Sequence, residues 1–202
     1  MALIMYFTRA PRYEGVDAED IKLIESYLNW QREIAIGSKY ASKTFEQWCG
    51  HSETELPDKN IIDYYKSNFD THIGLFEELA KLVKQNHIFN WVVQNITHGK
   101  LDNSHYELTE SQLNKLLEAC EKVEDGFTPI GINQYTHENE YEVDSSIAKE
   151  ILPLMEKKGY FFGLSTYNNS YAQAVINTAE IIRNILDTTD FDKQTVYFNA
   201  IW

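Results

Sequence analysis

Positive charge is scarce in this sequence. Of its 202 residues, 18 are Lys or Arg and 31 are Asp or Glu, so the formal net charge is −13. The four arginines stand apart at positions 9, 12, 32 and 183, and no basic run occurs. Because a surface of this charge repels the phosphates of nucleic acids and of anionic lipids, we expect neither a nucleic-acid partner nor a membrane partner.

Long apolar runs and cysteines are also rare. No stretch approaches the roughly 20 apolar residues of a membrane helix, and the opening MALIMYFTRA lacks the basic region and cleavage site of a signal peptide. The two cysteines, Cys49 and Cys120, do not demand a disulfide, and Cys49 with His51 is a poor zinc signal because zinc needs three or four ligands. We expect a cytoplasmic protein without a metal or cofactor.

Motifs for catalysis are missing as well. The sequence contains no G-x-S-x-G elbow, no H-E-x-x-H, no Walker loop and no G-x-G-x-x-G. The six histidines are scattered, without metal-ligand spacing. Carboxylates are numerous, which leaves a two-carboxylate hydrolase open, but none is singled out by its context. The sequence therefore favours binding over catalysis.

Hydrophobic periodicity predicts an α+β fold. We expect a mostly helical single domain over residues 1–202, with a small antiparallel sheet that includes the N- and C-terminal strands. The strands are predicted at 3–9, in YFFGLS at 160–165 and in the closing TVYFNAIW. The predicted helices begin after Asp17, begin at Asp58, span about Leu75–Ile96, begin at the Thr109–Gln112 capping box, span 146–157 and follow Asn168.

Two further segments interrupt this pattern. Residues 38–70 are rich in aromatic residues and broken by loops, which predicts an insertion or a lid. Residues 124–146 are polar and carry glycines and a proline, which predicts a long excursion.

Polar residues in the predicted helix at 75–96 form the first candidate site. Asn86 and Asn90 fall inside its apolar arc, and His87, Trp91 and Asn95 form an i, i+4, i+8 row at the edge of that arc. One interpretation is that the asparagines tether neighbouring loops and Trp91 is a core residue. The other is that the cluster borders a small-molecule pocket, which has apolar walls and a few placed donors.

The second candidate is the passage from strand to helix at Ser165, Thr166 and Tyr167. A strand that leads into a helix N-terminus presents free backbone N–H groups, which receive phosphate or carboxylate. The two hydroxyls add donors, and the tyrosine ring adds a stacking face. The alternative is an ordinary capped helix after a strand.

These two segments also carry a resemblance. Asn86 and Trp91 bound an Asn-x-Ile-x-x-Trp motif, residues 161–167 read Phe-Phe-Gly-Leu-Ser-Thr-Tyr, and the last strand ends at Trp202. Over most of residues 83–202 the chain resembles a family of small phage and prophage proteins with an Asn-x-Ile-x-x-Trp helix, a Phe-Phe-Gly-Ser-Thr-x-Tyr segment and a Trp-ending strand. Relative to that pattern, one leucine is inserted after the glycine.

The resemblance implies a virus inside a bacterial cell. Small phage proteins often disarm host defences, and some sequester nucleotide second messengers of the host alarm system. Such a protein needs a stacking-rich pocket and no catalytic residues. We therefore predict a phage anti-defence protein of the host cytoplasm, a homo-oligomer, which sequesters a cyclic nucleotide or an ADP-ribose derivative.

In this hypothesis, Trp91 and Tyr167 stack on the ligand, Asn90 and His87 read its polar edges, and Arg9 neutralises its phosphate. Two alternatives stay open. The chain could inhibit a host defence protein through its acidic, aromatic surface, or it could be a hydrolase that cleaves the same messengers.

Overall fold

The computed structural model describes residues 2–39, 42–49, 56–68, 74–100, 102–155 and 163–202, with the backbone alone at Cys49. The chain belongs to the α+β class, as predicted: 47% of the described residues are helical, and a four-stranded antiparallel sheet includes the N- and C-terminal strands. No helix in the described ranges is long and apolar enough to cross a bilayer.

The described residues form seven helices and six strands. In chain order these are β1 (Ile4–Pro11), α1 (Ala18–Ala35), α2 (Phe45–Cys49), α3 (Lys59–Asn68), β2 (Glu77–Val83), α4 (Asn86–Asn95), β3 (Tyr106–Leu108), α5 (Glu110–Glu124), β4 (Phe127–Ile132), β5 (Asn139–Val143), α6 (Ser145–Ile151), α7 (Asn169–Thr188) and β6 (Gln194–Ile201).

The main sheet has the strand order β2-β1-β6-β3. The interior strand β6 is buried at every position from 195 to 200. It pairs antiparallel with β3, where Tyr106 lies opposite Phe198, and Phe198 packs edge-on against Phe7 of β1 with ring centroids 5.5 Å apart. Strand β2, the outermost of the four described strands on its side, exposes Glu77, Glu78 and Lys81, and such charges discourage pairing with other chains.

The contacts divide the chain into two compact units. The larger unit comprises Met1–Thr8, Glu78–Phe191 and Val196–Trp202. Within it, α5 packs against α7, and buried Leu116 and Ile182 belong to its continuous apolar core.

The smaller unit comprises Arg9–Glu77 and Asp192–Thr195. Helices α2 and α3 pack against α1, and the buried hydroxyl of Tyr65 donates to the carbonyl of Pro11 at 3.0 Å. The segment at 38–70 falls inside this unit, and its role as a lid stays a prediction.

Three helix starts confirm the sequence signals. The Asp17 carboxylate accepts from the N–H groups of the first turn of α1, and Thr109 and Gln112 form the reciprocal capping box of α5. Asp58 accepts from the N–H of Asn60 at 2.7 Å. These signals act within a few residues, so the sequence alone specifies them.

The helix predicted over Leu75–Ile96 is wrong in its first half. Residues Glu77–Val83 form strand β2, and the helix proper begins at Asn86. Between them Lys84 adopts φ +60°, and its N–H donates to the carbonyl of Leu3 at 2.9 Å. The apolar spacing of this segment fits either a helix or a strand. Pairing with β1, which is distant in sequence, stabilises the strand.

The excursion predicted at 124–146 contains two strands that the sequence analysis did not predict. Strands β4 and β5 form an antiparallel hairpin in which Phe127 lies opposite Val143, with a bulge between Pro129 and Gly131. A proline in a strand argues against it in a sequence, yet proline is tolerated at bulges and sheet edges. Because of this proline, the composition of the segment does not indicate a strand.

The helix predicted at 146–157 ends earlier, at Ile151. Leu152 leaves the helical region with φ −133° and ψ 65°, because the residue before a proline is disfavoured in the α conformation. Of the strand predicted at 160–165, residues 160–162 lie outside the described residues. Gly163 makes an isolated antiparallel bridge with Gln85.

Candidate functional site

A pocket of about 540 Å³ opens in the larger unit beside the first half of α7. Its walls are the turn at 83–85, the segment at 163–166 and one face of α7. This volume lies within the usual range for small-molecule sites, about 300–1,000 Å³.

The described wall of the pocket is polar but almost uncharged. Hydroxyl and amide side chains dominate it, and it includes no carboxylate and a single cation, Lys84; the neutral polar side chains are Gln85, Ser165, Thr166, Asn168, Ser170, Gln173 and Asn177. In a chain with a net charge of −13, the described lining therefore carries no negative side chain. Its dipolar groups both donate and accept hydrogen bonds.

The pocket exists because two chain segments approach closely. Lys84 and Gly163 both have positive φ, +60° and +94°, and the N–H of Leu164 donates to the Lys84 carbonyl at 3.4 Å. A Cβ on Gly163 would lie 1.8 Å from that carbonyl oxygen. Only glycine fits here, for both its conformation and its size.

Buried side chains stabilise the contact between these two segments. The Nδ2 of Asn86 donates to the carbonyl of Leu164 at 2.6 Å, and the hydroxyl of Thr178 donates to Oε1 of Gln85 at 3.1 Å. Asn86 and Thr178 are 2% and 0% exposed. They support the wall and are not part of its surface.

The face of α7 along the pocket is fixed at its start. The Asn168 side chain caps the helix by accepting from the N–H of Tyr171 at 3.3 Å. At the first residue of the helix, Oδ1 of Asn169 accepts from the N–H of Tyr141 at 3.0 Å. One turn later, Nε2 of Gln173 donates to the carbonyl of Asn139 at 2.6 Å. The outer edge of β5 is therefore bound to α7.

Of the residues predicted from the second motif, Ser165 and Thr166 line the pocket and are exposed. Tyr167 does not line it. Its hydroxyl accepts from the N–H of Leu154 at 2.9 Å, and its ring packs edge-on against Tyr171 with centroids 5.0 Å apart. The tyrosine thus fixes the loop after α6, which differs from the stacking role predicted for it.

Residues predicted from the first motif lie inside the protein. Asn90 donates from Nδ2 to the carbonyl of Pro153 at 2.9 Å, and Trp91 is 7% exposed and belongs to the apolar core. Neither residue, nor Asn86, lines the described pocket. These contacts match the interpretation in which the asparagines tether loops and the tryptophan is core.

His87 is also enclosed. It is 0% exposed, its ring packs edge-on against Tyr171 with centroids 5.4 Å apart, and both ring nitrogens are without a hydrogen-bond partner. Burial lowers its pKa from 6.5 to about 3, because the imidazolium would lose its hydration. His87 is therefore a neutral core residue.

The two remaining candidates have their polar atoms engaged elsewhere. Exposed Asn95 donates from Nδ2 to the carbonyl of Trp91 in its own helix at 2.8 Å. Arg9 belongs to the smaller unit and forms a two-point ion pair with Glu77, at 2.7 and 3.0 Å. A charge matched in this way has less to offer a phosphate than a free guanidinium.

The sequence interpretation missed the α7 face of the pocket. Ser170, Gln173 and Asn177 lie at i, i+3 and i+7, so they share one side of the helix. All three are polar and uncharged, on a helix that is otherwise mostly apolar. That pattern is the signal that could have identified them.

Replacement of Gly163 by alanine tests the close approach. Gly99→Ala is the matched control, because Gly99 has a similar φ of +91° and a Cβ added there would meet nothing within 4 Å. Gly99→Ala should cost about 1 kcal/mol of unfolding free energy from backbone strain. Gly163→Ala should cost about 1–3 kcal/mol more, because the clash adds to the strain. Urea denaturation measures both, and equal losses would contradict the close approach.

Burial of His87 should make the free energy of unfolding fall in mild acid. Its folded pKa of about 3 lies below the unfolded value of 6.5, so the unfolded chain takes up the proton first. Stability from this group is full above pH 6.5 and is lost as the pH falls through that range, by about 2 kcal/mol at pH 5.

His87→Phe should remove this part of the pH dependence in urea titrations at pH 7 and pH 5. His98→Asn is the control, because His98 is exposed and asparagine tolerates its φ of +51°. Wild-type slopes in both variants would show that His87 is protonated normally in the folded protein.

Comparison of the chain with protein-family models finds no match, and neither do comparisons with curated proteins and with solved structures. The likeness to phage and prophage proteins therefore stays a prediction from sequence motifs. The function is inferred instead from the pocket and its chemistry.

Proposed function

We propose that this chain is a binding protein that sequesters a small, nucleotide-derived ligand in the pocket beside α7, without catalysis. One observation carries the proposal. The described pocket wall combines amides, hydroxyls and one lysine with no carboxylate, in a chain whose net charge is −13. Such a wall accepts an anion that most of this surface would repel.

The geometry suits the parts of a nucleotide. Val83, 48% exposed, and Leu164 provide apolar contacts for a base or a ribose. Gln173 and Asn177 present amides, which pair with the polar edges of bases. This assignment moves the base contacts from Trp91 and Tyr167 to the pocket wall.

In this proposal a phosphate group binds in the part of the pocket beside the start of α7. The hydroxyl residues Ser165, Thr166 and Ser170 line the pocket together with Asn168, the N-cap of α7. Helix N-termini attract anions because their N–H groups lack partners and the helix dipole adds a partial positive charge. Arg9 is not needed for this role.

The biological context comes from the resemblance to phage and prophage proteins. We infer a phage anti-defence protein of the host cytoplasm that holds a nucleotide immune signal, such as a cyclic nucleotide or an ADP-ribose derivative. Assembly into a homo-oligomer would raise the number of pockets per particle.

A second function has one observation in its favour. The β4–β5 hairpin exposes Ile130, Ile132 and Tyr135, at 62%, 63% and 95%. Exposed apolar side chains of this kind are common at protein interfaces, which supports an inhibitor of a host defence protein.

A thermal-shift panel of cyclic nucleotides and ADP-ribose derivatives tests the first proposal. A ligand at 100 times its Kd should stabilise the protein by about 2.7 kcal/mol, which raises Tm by several degrees. Asn177→Asp should abolish the shift, because it places a carboxylate in the pocket.

Asn184→Asp is the matched control on the same helix, because Asn184 is exposed and lies outside the pocket lining. It should keep the shift. Ligand stabilisation that survives in Asn177→Asp would move the site elsewhere, and no shift with any ligand would favour the inhibitor.

A further inference from the structure

We propose that this pocket recognises an adenine base through Gln173, whose side-chain amide is held so that its oxygen faces the ligand. The inference rests on the proposed function, because it concerns the same pocket, and it adds the base that the ligand carries. It follows from which amide atoms of α7 are already bonded within the protein.

One hydrogen bond fixes the orientation of the Gln173 amide. Its Nε2 donates to the backbone carbonyl of Asn139 in β5 at 2.6 Å. A carbonyl oxygen can only accept, so the nitrogen of the amide must face it and the amide cannot turn over. Oε1 points in a different direction from the same carbon, and no described residue donates to it. A ligand atom that bonds to Oε1 must therefore be a donor.

Asn168 is fixed in the opposite sense at the start of the helix. Its Oδ1 accepts from the N–H of Tyr171 at 3.3 Å, which leaves Nδ2 as the donor. Asn168 and Gln173 both line the pocket, and five residues of α7 separate them by about 7.5 Å at 1.5 Å per residue. The wall thus offers a donor beside the proposed phosphate position and an acceptor beside the proposed base position.

Asn177 adds an adaptable amide one turn beyond Gln173 on the same pocket face. It is exposed, and no described residue bonds to its amide, so this group can present either atom. Adenine has a 6-amino donor beside the N7 acceptor, and one side-chain amide pairs with both. The second hydrogen of the 6-amino group then remains for Oε1 of Gln173.

Guanine fits this arrangement less well. It presents a keto oxygen where adenine presents the amino group, and two oxygens that only accept cannot bond to each other. Sites that bond to a polar group of one ligand discriminate against a ligand that lacks this group. Sugar hydroxyls both donate and accept, so the choice between ligands depends on the base.

Calorimetry with three 3′,5′-cyclic monophosphates, which carry adenine, guanine or 6-methylpurine, tests the inference. The methyl group of 6-methylpurine is close in size to the amino group of adenine but cannot donate. We expect the adenine probe to bind at least about fivefold more tightly than the 6-methylpurine probe, as for the loss of one hydrogen bond. The guanine probe should also bind more weakly than the adenine probe.

Gln173→Met keeps the length of the side chain and removes its acceptor. It should bring the affinities for the adenine and 6-methylpurine probes within about twofold of each other. Asn169→Ala is the control, because Asn169 makes another bond between α7 and β5 and lies outside the described pocket lining. It should keep the wild-type ratio, because loosening of β5 alone weakens both probes equally.

Each result decides a different point. Equal binding of the adenine and 6-methylpurine probes, tighter binding of the guanine probe, or a ratio that survives in Gln173→Met would overturn the inference and leave the binding function standing. If none of the three probes binds, the inference is contradicted. The proposed function is contradicted only if the whole panel of cyclic nucleotides and ADP-ribose derivatives also fails to bind.

Discussion

The close contact between residues 84–86 and 163–164 is the constraint on which the site depends. Lys84 turns the chain out of β2 with a positive φ, and Gly163 lies against its carbonyl where no larger residue fits. The buried amide of Asn86 then fixes Leu164 at 2.6 Å. Because one wall of the pocket is formed by residues 83–85 and another by residues 163–166, this contact sets the distance between them.

The buried polar residues of α4 do not line the described pocket. An unpaired amide in a core costs about 1–3 kcal/mol. Asn86 and Asn90 each offset part of this cost by donating to a loop carbonyl, while the buried Oδ1 of Asn86 has no partner among the described residues. His87 remains neutral at the cost of two unpartnered nitrogens. In our proposal the ligand contacts a second set of groups, the amides and hydroxyls of α7 and of residues 165–166. These groups can replace hydrogen bonds to water with hydrogen bonds to ligand atoms.

Much of this architecture could be predicted from sequence wherever the signal is local. The caps at Asp17 and Thr109 and the course of α7 depend on neighbours a few residues away, and the terminal strands are rich in strand-forming residues. Strand β2 could not be predicted, because its conformation depends on pairing with β1, which is distant in sequence. The β4–β5 hairpin pairs locally, but its proline and glycines do not indicate strands. For the site, the sequence identified Ser165 and Thr166, which line the pocket. The sequence analysis assigned Trp91 a ligand role, which its position in the core does not suggest. Periodicity shows which face of a helix is apolar, but not whether protein or ligand packs against that face.

Hydrogen exchange of the amides of residues 163–166 tests the central claim most directly. Asn86→Ala removes the amide that holds Leu164, and Asn95→Ala is its control, the same change on an exposed residue of the same helix whose amide binds only its own helix. Exchange of the Leu164 amide, which donates to the Lys84 carbonyl, should quicken markedly in Asn86→Ala and match wild type in Asn95→Ala. Unchanged exchange in Asn86→Ala would contradict the claim that this buried amide sets the wall of the pocket.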